Sequence, residues 1–239
     1  MPEGALERAV RLLGRLGAEP AELTVPELAG DAGMPTSTAY RLLAELERHG
    51  LVQRGPDRTV ALGTRLVALG RAAEATLHER LVEPAEPIMR RLGDEIGETV
   101  ILTAPCVLEG IVLHVVETQL HSVRLSYALL RRAPIHRGAS GKVIAAYLEP
   151  AERERLLQAV ALPGLAAELE RIRSDGFAFT SGELDEGAAA VAAPIRDRRG
   201  RITAGISVAG PAPRIVAGLD RVRTAVTHAA AAIEREHSR

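Results

Sequence analysis

Apolar residues at helical spacing open the chain. Leu6, Val10, Leu13 and Leu16 recur every three or four positions before Gly17, which predicts an amphipathic first helix. In "LTVPELAGDAGMPTSTAYRLLAELERHGLVQRG", Thr24 stands three residues before Glu27 and Pro26 falls in the first turn. That capping-box pattern predicts a short second helix over 25–32, with Gly33 letting the chain turn. Pro35 and the hydroxyls of Thr36, Ser37 and Thr38 then start a third helix that Gly50 ends. Ala39, Leu42, Leu43 and Leu46 give this helix one buried face, which turns Ser37, Tyr40, Arg41, Ala44, Glu45 and Arg48 outward. Two short extended stretches, 51–54 and 59–62, flank "GPD" and predict a hairpin. Helix, helix, turn, helix, hairpin is the order of a winged helix-turn-helix.

A longer helix is expected over 64–81, with Leu66, Leu69, Ala73 and Leu77 along one side as a linker and dimer element. Pro84 and Pro87 open another, on which Ile88, Leu92 and Ile96 align before Gly97. Beyond it the period changes to two. The stretches 99–105, 110–118 and 122–126 are rich in β-branched residues and bounded by turn formers. Helices follow over 140–148, 151–160 and 165–174, then strands over 176–181, 188–197 and 202–210, and a terminal helix over 218–236. Three strands, a helical insert and three strands make an α+β domain with a six-stranded antiparallel sheet. The expected domains are a winged helix-turn-helix over 1–63, a linker helix over 64–81 and the α+β domain over 82–239.

Composition narrows the function classes. Hydrophobic residues make up 46% of the 239 and charged residues 26%, which suits a packed globular chain. No apolar run approaches the roughly 18 residues of a membrane helix, and the N-terminus is charge-studded, so the expected location is the cytoplasm with no membrane partner. Cys106 stands alone as the only cysteine and is read as a small buried apolar residue. His114, Glu117 and His121 have metal-like spacing, but an extended segment turns His114 and Glu117 to opposite faces, so no metal and no cofactor is expected. With 2% aromatic residues the chain lacks the stacked rings of a single-strand or RNA binder.

Net charge is −1 overall, and residues 1–80 hold 10 Arg against 11 Asp and Glu, so a case for nucleic acid must come from placement. Hydroxyls of Thr36, Ser37 and Thr38 and the phenol of Tyr40 sit near the start of the third helix and suit phosphate contacts, and Arg41 one turn on can reach a base edge. Arg54 and Arg58 flank the hairpin tip, where a wing meets phosphate. The alternative is a winged helix that serves as an interaction or sensor module without binding DNA.

These stretches, with "LGTRLVALG", "RRAPIHRGASGKVIAAYL", "GFAFTSGELDEGAAAVAAPIRD" and "GISVAGP", resemble the IclR family of bacterial transcriptional regulators over nearly the whole chain. The resemblance implies a winged helix-turn-helix, a linker helix and a GAF-like effector domain. It further implies a homodimer or dimer of dimers that binds double-stranded operator DNA, responds to a small-molecule effector and often acts as a repressor.

"GASGKVIAAYL" contains Lys142, the only lysine. As a Walker A loop it fails, because His136 stands where the first glycine belongs and Val143 where a hydroxyl would hold magnesium. A nucleophile elbow fails at Lys142, S-x-x-K fails at Ala139, and no His and Asp pair can be assigned to Ser140, so no enzyme is expected. Small residues at a helix start leave backbone N–H groups open to an anionic ligand. Equally, Ser140 could cap the helix while Lys142 stays solvated, and the residues alone leave both readings open. The resemblance implies an effector pocket at Leu125, Ala139, Ser140, Thr180, Ala190 and Ser207. Where some members of the family carry an acid this chain has Thr180, and it has Ala190 and Ala209 where a thiol or hydroxyl can stand, so a more apolar effector is expected at least as much as a small hydroxy- or keto-acid.

Overall fold

The computed structural model describes residues 4–18 and 23–236. The chain divides into two compact units, Met1–Thr76 and Leu77–Arg239. Among the described residues, no helix is long and apolar enough to cross a membrane.

In the first unit, helices α1 (Ala5–Ala18), α2 (Val25–Asp31) and α3 (Thr36–Arg48) pack beside a three-stranded antiparallel sheet of β1 (Leu23–Thr24), β2 (Val52–Arg54) and β3 (Thr59–Leu62). The sheet order is β1-β3-β2. At the start of α2, the Thr24 backbone N–H and hydroxyl both donate to the Glu27 carboxylate, at 2.8 and 2.7 Å. Those two bonds hold the Glu27 carboxyl below its ordinary range. The core is Leu12, Leu16, Leu28, Leu43, Val60 and their neighbours, each fully buried Leu contributing about 1.5–3 kcal/mol. On α1 the buried stripe is not the expected one. Leu6 and Val10 are exposed, whereas Leu12 and Leu16 are buried with Ala9 and Leu13 packed beside them. Residues 9, 12, 13 and 16 form a second helical stripe overlapping the first, and α2 and α3 select it.

Helix α4 (Arg65–Leu77) buries none of its residues, so the stripe expected to be covered is open on this chain. A π-helical turn, His78–Val82, follows and leads into α5 (Glu83–Ile96). Pro84 and Pro87 have no N–H to offer the carbonyls four residues back, and the Glu83 N–H reaches five residues back to His78 instead.

The second unit holds one six-stranded antiparallel sheet: β4 (Thr99–Cys106), β5 (Glu109–Val116), β6 (Arg132–Pro134), β7 (Ala178–Ser181), β8 (Ala188–Arg196) and β9 (Ile202–Pro211), in the order β6-β5-β4-β9-β8-β7. Six strands were expected, but the sixth lies elsewhere: 122–126 is not a strand, and Arg132–Pro134 pairs with β5 in its place. Folding-back of 117–126 explains this. Glu117 accepts hydrogen bonds from Arg124 and Ser126, and the Thr99 hydroxyl donates to the Leu125 carbonyl at 2.6 Å, so this stretch lacks the free backbone of an edge strand. Cys106 ends β4 half-buried rather than buried.

Period-two alternation assigns the two faces. Val100, Leu102, Val191, Ile195, Ile206 and Val208 pack under α5, α9 (Ala212–Ala217) and α10 (Leu219–Glu236). The opposite face meets α6 (Ala139–Ala146), with α7 (Pro150–Val160) and α8 (Leu165–Asp175) completing that layer around Ile135, Val143, Ile144, Leu156 and Leu169. The terminal helix expected over 218–236 is thus preceded by a separate short one. At α6 the backbone comes unusually close to a neighbour: a Cβ on Gly141 would lie 2.9 Å from the Ile135 Cα. Gly141→Ala is therefore expected to destabilise the protein by about 1–3 kcal/mol. Gly30→Ala, in α2 with no heavy atom within 4 Å of the new Cβ, should be neutral or mildly stabilising. Urea unfolding of the two variants checks the contrast, and equal stabilities would remove the close-approach argument.

Candidate functional site

Two regions carry candidate chemistry, one in each unit. In the first, α3 buries Ala39, Leu42, Leu43 and Leu46. That face fixes the opposite one, where Thr36, Ser37, Tyr40, Arg41, Ala44, Glu45 and Arg48 are exposed and Thr38 is half-buried. The helix begins after Pro35, whose carbonyl accepts from the N–H groups of Thr38 and Ala39, and no side chain caps it. The hydroxyls of the first turn are therefore not consumed as caps. Arg48 pairs with Glu45 on the same face, so its charge is partly spent. Arg54 reaches the Glu47 carboxylate at 3.2 Å, which ties the wing strand β2 to α3. Arg58 stands at the hairpin tip, where Asp57 and Arg58 both adopt positive φ, 51° and 62°. The turn holds because the Gly55 N–H donates to the Thr59 carbonyl at 3.0 Å and the Thr59 hydroxyl to the Pro56 carbonyl at 2.6 Å.

In the second unit a cavity of about 700 Å3, its open mouth included, lies between the start of α6 and the sheet. Ile101 and Thr103 of β4, Gly110 and Val112 of β5, Thr180, Ala190, Ser207 and Ala209 line it. Alternation along the strands, with the other face committed to α5 and α10, brings these side chains together. Ala139 and Ser140 form the wall from α6, and the Ser140 hydroxyl donates to the Ser207 hydroxyl at 2.8 Å. Of the six residues that the resemblance implies, Ala139, Ser140, Thr180, Ala190 and Ser207 line this cavity. Leu125 is not among the lining residues. Its side chain packs against Ile101, Val112 and Ala209, which themselves line the cavity, and 117–126 folds back as a loop instead of running as a strand.

Part of the remaining wall is the loop at 182–185, beside Tyr127, Arg131 and Arg137, and its charged residues were not singled out in the sequence. Lys142, which one of the two open readings leaves solvated, is buried. Its ammonium donates to Glu168 of α8 at 2.7 Å and to Glu183 of the loop at 2.6 Å. Burial alone would push the Lys142 pKa down, but the two carboxylates outweigh it and hold the group above its ordinary value. Glu183 also accepts from the Gly138 N–H at 3.0 Å, so part of the open helix start is occupied by the protein's own carboxylate. Gly138 takes φ 71°, a left-handed conformation that favours glycine, and a Cβ there would press on the Leu184 side chain. Arg137 donates to the Glu183 backbone carbonyl.

Further along the loop, Asp185 accepts from Arg131 at 3.0 Å and from the Tyr127 hydroxyl at 3.3 Å. Burial, reinforced by Asp185, pushes the Tyr127 pKa up to about 12, so its phenol stays a donor. A signal for this clasp was present in "GASGKVIAAYL": one charged side chain inside an otherwise apolar helix needs a buried partner.

His114 and Glu117 do not meet as metal ligands. His114 faces Glu86 of α5 at 3.9 Å, while Glu117 is bonded to Arg124 and Ser126. No group of three or more metal-ligating side chains occurs among the described residues.

Comparison with known proteins accounts for both units. The family model described as IclR helix-turn-helix domain matches residues 5–56, and that described as bacterial transcriptional regulator IclR C-terminal matches residues 73–235. The HTH-type transcriptional regulator BhcR of Paracoccus denitrificans (strain Pd 1222) is 31% identical over 240 residues, covering 95% of this chain and 84% of that protein. The IclR crystal structure from Thermotoga maritima matches with a TM-score of 0.64 and 27% identity, covering 98% of each chain. An IclR homolog from Microbacterium hydrocarbonoxydans, solved in complex with 4-hydroxybenzoate, gives a TM-score of 0.67 over 98% of this chain and 99% of that one, and at 24% identity it speaks to the fold alone.

The clasp has a measurable consequence. Glu183→Gln should lower stability by about 1–2 kcal/mol, a figure reduced because Glu183 is 31% exposed, and should speed amide exchange across 182–187. Glu109→Gln, at the exposed Arg132 pair, should cost under about 0.5 kcal/mol. Indistinguishable exchange in the two variants would show that the loop is held by something else.

Proposed function

The chain belongs to the IclR family of bacterial transcriptional regulators, and from that membership we propose that it is a cytoplasmic, ligand-responsive repressor controlled by a small organic molecule. As a regulator of this family it binds DNA and is not an enzyme. The finer reading concerns which residues act and how. The observation that carries it is the cavity at the start of α6, mostly apolar, partly enclosed and floored by the Ser140 and Ser207 hydroxyls. Its lining suits a small molecule with a compact apolar body and few polar groups.

On the DNA side, α3 is the recognition helix. Thr36, Ser37 and Thr38 approach phosphate, Tyr40 and Arg41 reach toward the groove, and Arg54 and Arg58 meet the backbone from the wing. Arg41 is exposed beside Tyr40, whereas Arg54 must leave Glu47 to contact phosphate, so Arg41 carries more of the specificity. The exposed stripe of α4 suits a homodimer or dimer of dimers, and a symmetric pair of such helices reads a pseudo-palindromic operator. Effector and operator are coupled when the ligand favours one arrangement of the paired domains over another.

Arg41→Ala should weaken binding to the promoter beside its own gene by tenfold or more while binding to unrelated DNA changes little. Arg58→Ala should weaken both and lower the salt slope by about one. Gel shifts at several salt concentrations check this, and unchanged affinity in Arg41→Ala would sink the recognition-helix assignment. Filling the cavity with Ser140→Trp should abolish the effector response and leave operator affinity intact. A normal calorimetric titration of effector into that variant would place the site elsewhere.

A further inference from the structure

We propose that the cavity at the start of α6 takes an uncharged ligand, an amide, ester, alcohol or phenol with an apolar body, and that Asp185 is the residue that keeps anions out. The inference rests on the reading of this cavity as the effector site and names the ligand class for it. Three cations and three carboxylates stand at or behind the loop wall, and they answer one another. Arg131 pairs with Asp185 at 3.0 Å, and Lys142 lies between Glu168 at 2.7 Å and Glu183 at 2.6 Å. Arg137 supplies the third positive charge beside Glu183, to whose backbone carbonyl it donates. The start of α6, where an anion otherwise finds open N–H groups, already faces the Glu183 carboxylate, which accepts from the Gly138 N–H at 3.0 Å. An incoming carboxylate therefore has to displace one of the protein's own.

Asp185 holds the decisive place among these groups because it and Arg131 both line the cavity, whereas Lys142 is buried behind the wall. Asp185 also accepts from the Tyr127 hydroxyl at 3.3 Å, and the Arg131 guanidinium lies 5.0 Å from the centre of the Tyr127 ring. One carboxylate thus withdraws both a guanidinium and a phenol from any ligand. Farther in, the polar groups are hydroxyls. Thr103 of β4 and Thr180 of β7 line the cavity and are 5% and 6% exposed, and their hydroxyls form no hydrogen bond among the described residues. A hydroxyl donates to a carbonyl or accepts from an N–H or O–H, so these two have hydrogen bonds to spare for an uncharged polar group. An ionised group among Ile101, Val112, Ala190 and Ala209 would find too few partners to replace its hydration.

The test is isothermal titration calorimetry of the full chain at about pH 7, where carboxylic acids are ionised. The probes are matched pairs: benzoate and benzamide, phenylacetate and phenylacetamide, 3-methylbutanoate and 3-methylbutanamide, 4-hydroxybenzoate and its methyl ester. At least one uncharged member should bind the wild type about tenfold or more tighter than its acid. Asp185→Asn frees Arg131, so it should raise the affinity of that acid about tenfold and leave its uncharged partner within about twofold. A loss shared equally by both members assigns Asp185 a structural role and overturns its part in selectivity, as does a preference that Asp185→Asn leaves unchanged. Thr103→Val or Thr180→Val should weaken the uncharged member about fivefold, and unchanged binding in both overturns the hydroxyl assignment. An acid that binds as tightly as its uncharged partner, in a manner that Ser207→Trp abolishes, overturns the charge reading and leaves the cavity reading standing. Failure of every probe to bind the wild type, or binding that survives Ser207→Trp, overturns the cavity reading and the proposal with it.

Discussion

A buried ammonium has to be answered by negative charge, and in this chain that requirement organises the second unit. Lys142 sits in α6 among Val143, Ile144, Ala145 and Ala146, where an unpaired cation would be untenable. Glu168 answers it from α8 and Glu183 from the loop 182–187, so one side chain joins three segments distant in sequence. Because Glu183 also takes the Gly138 N–H, the loop is drawn against the very start of α6. The cavity exists because that loop cannot collapse further: Leu184 already rests on Gly138, and Asp185 is held by Arg131 and Tyr127.

The small side chains of the sheet complete the arrangement. On β8 and β9 one face is committed to Val191, Ile195, Ile206 and Val208 under α10, which leaves Ala190, Ser207 and Ala209 to look toward α6. Gly141 lets α6 approach the Ile135 backbone, and Gly205 lets it approach the strand beside Val143. Larger residues at these positions would fill the space that a ligand needs. What remains is a mostly apolar chamber lined in part by the hydroxyl-bearing Thr103, Tyr127, Ser140, Thr180 and Ser207, with charged groups carried by its loop wall, an arrangement suited to binding.

Much of this was legible in the residues, and the failures have physical causes. The winged helix-turn-helix followed from one clean stripe, Ala39, Leu42, Leu43 and Leu46, from the Thr24 and Glu27 cap and from glycines at the turns, all local signals. Five of the six strands followed from period-two patterning. The sixth failed because 122–126 has strand-like residues but spends its hydrogen bonds on Glu117 and Thr99, partners that local pattern does not display. For α1, two overlapping stripes were present and only the packing of α2 and α3 chose between them. The open stripe on α4 shows the converse limit, since periodicity reveals an apolar face but not what covers it. At the candidate site, Ala139, Ser140, Thr180, Ala190 and Ser207 converge on one cavity, and Leu125 was displaced by the same misread segment. The ion pairs of Lys142 and Arg131 and the hydrogen bond of Tyr127 join residues 26 to 58 positions apart, a range over which no sequence periodicity acts.

The measurement that bears most directly on this account is a double-mutant cycle on Lys142 and Glu183. Folding free energies of the wild type, Lys142→Met, Glu183→Gln and the double variant come from urea unfolding followed at a signal of the second unit. If the clasp holds the loop to α6, the double variant is more stable than the sum of the single losses predicts, with a coupling of about 1–3 kcal/mol. Additive losses, within about 0.3 kcal/mol, would mean that the two side chains act independently and that the cavity is shaped by something other than their ion pair.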